Sequence, residues 1–181
     1  MIDILNPKLV RTSPMTDILD PHFVYTFQYY HPDGQPGWRW VQRNLIPTQG
    51  RDYIFSSAML GGSQFSTWYI SLYSGSYTPQ LTDTAANYPA NATEITTAYS
   101  ETNRPTLTPD APGSGSYTNA GTPAVFTFTA DTTVRGGGLH SNSVKGGTTG
   151  ILLSIVAAPS PKAVEAGGQL KVITGLSLAS I

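Results

Sequence analysis

From Phe23 to Tyr29 every second residue is aromatic. Phe23, Tyr25, Phe27 and Tyr29 therefore share one side of an extended chain, with Val24, Thr26 and Gln28 on the other, the two-residue period of a half-buried strand. A turn-rich stretch, His31-Pro32-Asp33-Gly34-Gln35-Pro36-Gly37, separates this run from Trp38–Arg43, so residues 22–43 read as a β-hairpin with a longer loop. The period changes once. Over Arg51–Leu60, Ile54, Phe55, Ala58 and Met59 fall on one face of a helix that Gly61-Gly62 ends. Alternation returns over Phe65–Tyr73, with Trp68, Ile70 and Leu72 on one side, and again over Ala124–Thr129 and Gln169–Leu178. Ile151–Val156 is apolar except for Ser154, the pattern of a buried strand. Thr132–His140 has strand character interrupted by Gly136-Gly137-Gly138, which reads as a bulge or a close approach of backbones.

Two segments break the pattern. Residues 1–21 carry Pro7, Pro14 and Pro21 with only short apolar pieces between them, and read as an extended arm that orders on another chain. Residues 80–122 form a long polar, proline-rich connection, with a short strand expected at Glu94–Tyr99. The expectation is an all-β protein: a jelly-roll-like antiparallel β-sandwich of about eight strands, formed by residues 22–181 as one domain, with one short helix and the N-terminal arm.

Composition sharpens this picture. Only 12% of the residues are charged, about half the usual share. A surface this neutral suits a protein much of whose exterior is covered by partners. The formal net charge is −1 and the Lys and Arg residues are scattered, so no nucleic-acid footprint is expected. There is no cysteine, which removes disulfides, thiolate metal sites and cysteine nucleophiles. The N-terminus lacks a basic start followed by an apolar run, so no signal peptide is expected. Tyr53–Thr82 holds no charge, but Gly61-Gly62 and many hydroxyls keep it from reading as a membrane span.

Candidate chemistry is sparse. His22, His31 and His140 lie in no metal-ligand spacing, and neither a metal nor a cofactor is expected. Gly113-Ser114-Gly115-Ser116 reads as flexible loop, not as a nucleophile turn, and no catalytic residue is assigned. Asp33, Asp83, Asp110 and Asp131 sit in turns, where a carboxylate caps backbone N–H groups. Trp38 and Trp40, two apart on one strand, would share a face. That face would serve as a sugar-stacking platform, as core or as an interface.

From Asn44 onward the chain carries, in order, Asn44-Leu45-Ile46-Pro47 with Gly50, Gly61-Gly62, Thr67-Trp68-Tyr69-Ile70-Ser71-Leu72-Tyr73, Tyr77-Thr78-Pro79, Asp83-Thr84-Ala85-Ala86 and Arg104-Pro105, followed by Val164–Gly167 and Leu170-Lys171-Val172. With these the chain resembles a family of small tailed-bacteriophage virion proteins encoded beside the major capsid protein. Family members often carry glycine where this chain has Ser71, and often begin near Asn44. The resemblance implies a jelly-roll-like sandwich and a virion location reached by assembly in the host bacterial cytoplasm.

The expected function is therefore structural and non-enzymatic: a capsid cement or decoration protein that binds and stabilises the lattice. Its partners would be the major capsid protein and further copies of itself, a dimer ahead of a trimer, with no nucleic acid and no membrane. The candidate interface is Tyr29, Tyr30, Trp38 and Trp40, with packing into the protein's own core as the competing role. The alternative function is a receptor- or glycan-binding module of a tail or capsid fibre, with the Trp38/Trp40 strand as its surface.

Overall fold

The computed structural model describes residues 22–113 and 115–177; the arm expected over residues 1–21 lies outside them. The aromatic alternation forms β1 (Phe23–Tyr30), which turns into β2 (Pro36–Arg43) as expected. Asp33 accepts the backbone N–H of Gln35 in the connecting loop, and Gly34 takes a positive φ of 82° there. The remaining strands are β3 (Trp68–Tyr73), β4 (Thr106–Leu107), β5 (Ser116–Thr118), β6 (Ala124–Thr127), β7 (Thr132–His140), β8 (Leu152–Val164) and β9 (Gln169–Ser177). All pairings are antiparallel. One sheet runs β2-β1-β9, with β5 and β6 both on the far side of β9, and the other runs β4-β3-β7-β8.

The two sheets form a β-sandwich. Phe23, Tyr25, Phe27 and Tyr29 of β1, Leu170 and Val172 of β9 and Phe126 of β6 meet Ile70, Leu72, Val134, Leu139 and Val156 of the opposite sheet. The second sheet is covered on its other face as well. There Tyr73, Leu152 and Ile155 pack against Ala85, Tyr88 and Ala92. This explains why β8 begins almost wholly apolar, with Ser154 the one polar residue among its first five: both of its faces are dry.

The covering layer comes from the long connection, and here the sequence expectation needs correction. Residues 80–122 are woven into the fold. They hold a second helix, α2 (Tyr88–Asn91), together with β4 and β5. The strand expected at Glu94–Tyr99 is two isolated bridges, Glu94 to Tyr73 and Tyr99 to Phe128. Six apolar residues of this segment, Ala85, Tyr88, Ala92, Ile95, Tyr99 and Leu107, are too irregularly spaced for a periodic signal, yet all six are buried.

The glycine run does not interrupt β7. It lets aromatic rings lie on the strand. A Cβ on Gly136 would stand 2.5 Å from the Tyr73 ring and 2.1 Å from the Val156 carbonyl oxygen. One on Gly137 would stand 2.6 Å from the Ser71 carbonyl oxygen, and one on Gly138 would stand 3.2 Å from the Tyr88 ring. The bulge falls between Val134 and Gly136.

The first helix, α1 (Thr48–Met59), starts three residues before its expected position and shows a different face to the core. Gly50 is its buried residue, and a Cβ there would lie 2.3 Å from the Leu153 carbonyl oxygen. That contact sets the helix rotation. Gly50, Tyr53, Ile54 and Ser57 turn towards the sandwich, whereas Phe55, Ala58 and Met59, expected inside, are exposed. No helix among the described residues is long and apolar enough to cross a membrane.

Candidate functional site

Three regions could carry function, and burial separates them. The first is a polar cluster inside the fold. His140, at the end of β7, places Nε2 2.9 Å from the Ser71 hydroxyl, which donates to the Tyr88 hydroxyl at 2.7 Å. A histidine beside a serine is the geometry of an activated nucleophile. All three side chains are fully enclosed, however, so no substrate reaches them. The other ring nitrogen, Nδ1, has no hydrogen-bond partner among the described residues. The Ser71 hydroxyl links β3, β7 and α2.

Burial, together with the nearby Arg104 guanidinium, pushes the His140 pKa well below its ordinary value of 6.5. His140 therefore stays neutral in the folded state while the unfolded chain takes up a proton near pH 6.5. The stability this confers is fully present above pH 6.5 and is lost as the pH falls towards the depressed folded value. The slope is at most about 1.4 kcal/mol per pH unit for one such group. Urea unfolding at pH 7 and pH 5.5 should show this loss, and His140→Gln should flatten it; equal slopes would contradict the assignment.

The second region is the hairpin. Trp40 stacks on Phe27 with ring centroids 4.0 Å apart, and Trp38 stacks on Tyr29 at 5.5 Å. The Trp38 Nε1–H donates to the Ala163 carbonyl at 2.8 Å, across to the other sheet. Tyr29 and Trp40 are buried, and the Tyr29 hydroxyl accepts the Glu165 N–H. Two of the four expected interface residues thus belong to the protein's own core, because the two aromatic rows of β1 and β2 face the same way, inward. Tyr30 lies on the opposite side of β1, half-buried, with the Lys171 ammonium 4.8 Å from its ring centroid.

Asp33 and Asp83 cap N–H groups within their own turns, as expected, whereas Asp110 and Asp131 tie together segments 11 and 35 residues apart. Asp83 accepts from the Gln80 N–H and the Tyr77 hydroxyl, Asp110 from the Gly121 N–H, and Asp131 from the Ala166 N–H. Among the described residues no group of three or more His, Asp or Glu is placed to hold a metal ion.

The third region is apolar and open. Phe55, Met59 and Leu60 are 62%, 76% and 79% exposed, at the outer face and C-terminal end of α1. Phe65, in the loop that follows α1, joins Tyr53 and Trp68 in a trio of rings with centroids 5.2–5.9 Å apart. The Tyr53 hydroxyl accepts the Phe65 N–H and fixes this loop onto the helix. The trio walls a groove of about 390 Å³ at one end of the sandwich, lined also by Phe23, Ile54, Leu107, Leu153 and Leu176. Ile54 of α1 lines the groove and its chain neighbour Phe55 is exposed, so two apolar features lie on one helix, and exposed apolar surface on a folded domain marks a contact site. The sequence hid it because Phe55 and Met59 share a helical face with Ile54; only the Gly50 contact with β8 shows which part turns outward.

No family model matches the chain, and no curated protein matches its sequence.

Proposed function

We propose that this chain is a non-enzymatic structural protein of a bacteriophage virion, a cement or decoration protein held on the lattice of the major capsid protein. The observation that carries the reading is the outward apolar face of Phe55, Met59 and Leu60 beside an apolar groove. Interface cores lose charge and gain Phe, Tyr, Trp and Met, which is the composition of this surface. The low charge of the whole chain supports it. The particle itself is supplied by the sequence resemblance from Asn44 onward. Self-association on the lattice belongs to the same reading, but not through Tyr29 and Trp40, whose surface is spent on the core. The alternative, a receptor- or glycan-binding module of a fibre, drew on Trp38 and Trp40; Trp40 is buried against Phe27, and Trp38 is half-buried on Tyr29.

Copy number on purified virions tests the particle role: the chain should approach the major capsid protein in molar amount on a stained gel. Phe55→Asp/Met59→Asp should lower occupancy of decoration-free capsids by about tenfold or more, corresponding to ~1.4 kcal/mol. Its unfolding midpoint should stay unchanged, because both side chains are exposed. A chain present in only a few copies per particle, or unaltered occupancy of the variant, would refute the proposal.

A further inference from the structure

The groove opens where the described chain begins and ends: Phe23, the first residue of β1, and Leu176, next to last in β9, both line it. Residues 1–21 precede this point, and the apolar pair nearest to it is Ile18-Leu19. Leu19 lies four residues before Phe23 and Ile18 five, a reach of about 13–17 Å at ~3.3 Å per residue. Between the pair and β1 stands Pro21, which has no N–H to give to a strand ladder, so the segment is not suited to prolong β1 as a paired strand. Asp17 and Asp20 flank the pair, so its ends favour water while its centre favours an apolar wall.

We propose that the groove is a docking site for Ile18 and Leu19 of this chain's own N-terminal segment. A tether this short gives an effective concentration on the order of millimolar, which favours the segment of the same chain over that of a neighbour. The inference does not rest on the virion role, since it concerns the free protein.

The absence of cysteine makes the test clean. Asp17→Cys/Ser66→Cys in the full chain leaves Ile18 and Leu19 intact and places one thiol beside them and one on the groove lining. Mild oxidation should give mainly a within-chain disulfide, seen as a faster-migrating monomer on a non-reducing gel. Adding Ile18→Asp/Leu19→Asp should slow its formation about tenfold, the ~1.4 kcal/mol equivalent of lost docking. Equal rates in the two backgrounds would mean tethering alone, and a disulfide-linked dimer as the main product would mean a neighbour's segment; either result overturns the proposal. As a second measurement, Ile18→Asp/Leu19→Asp alone should raise binding of an apolar fluorescent dye severalfold with the unfolding midpoint retained. Removing residues 178–181 should leave dye binding unchanged; a rise on that deletion, with none on the first variant, would assign the groove to the C-terminal tail and overturn the proposal.

Discussion

Replacing Arg104 by methionine is expected to lower the unfolding free energy by about 3–5 kcal/mol, because it leaves a buried carboxylate without a partner. Arg104 is fully enclosed, and its Nε–H and Nη2–H donate to the two Glu94 oxygens at 2.8 and 2.6 Å. Its remaining donors reach the Asn142 carbonyl at 2.9 Å and the Gly147 carbonyl at 3.2 Å. One side chain therefore ties the long connection to the loop between β7 and β8. Lys145 of that loop adds a bond to the Tyr99 carbonyl and sits 3.7 Å from the Tyr99 ring centroid. The double variant Arg104→Met/Glu94→Leu removes both charges and should recover most of the loss, since a dry pair exchanged for apolar groups is often neutral. Urea unfolding followed by tryptophan fluorescence measures both. A cost below about 1 kcal/mol for the single variant would mean that water reaches Glu94 on losing its partner, as for an exposed pair.

Phe27→Ala should cost a similar amount, about 3–5 kcal/mol, by opening a cavity between the sheets. Phe27 is fully buried, lies nearly parallel to Trp40 at an interplanar angle of 11°, and reaches across to Gly137 of the opposite sheet. None of these neighbours can collapse into the space: Gly137 has no side chain, and Trp40 is held by its strand. At roughly 2–4 °C per kcal/mol for a domain of this size, the melting midpoint should fall by roughly 6–20 °C. Since whole domains are stable by only about 5–15 kcal/mol, both variants approach the limit of folding. A drop of only a degree or two on a calorimetric scan would show that the sheets close over the gap.

These two sites differ in how visible they were beforehand. Phe27 belongs to an alternation whose alternative register would put four aromatic residues in water, so its burial follows from the pattern. Arg104 carries no such mark. Its neighbours are prolines, threonines and asparagine, and its partners lie 10, 38 and 43 residues away in sequence. A lone arginine in a polar segment is ordinarily solvated, and only the fold of residues 80–122 over the second sheet encloses it.

The residue pattern alone was enough for β1, β2, β3, β6 and β9, for the hairpin, and for the turn at Asp33. In each of these the physics is local: a two-residue period, or a carboxylate capping an N–H two residues away. The tertiary structure alone decided which face of α1 is buried, that the long connection forms a second core layer, and that Trp38 and Trp40 stack inward. It also decided that Phe55, Met59 and Leu60 remain in solvent. Those outcomes depend on contacts between residues far apart in the chain, above all Gly50 against Leu153 and Tyr88 against Gly138. A side chain's surroundings are then set by what the fold brings to it, and its neighbours in sequence carry no record of that.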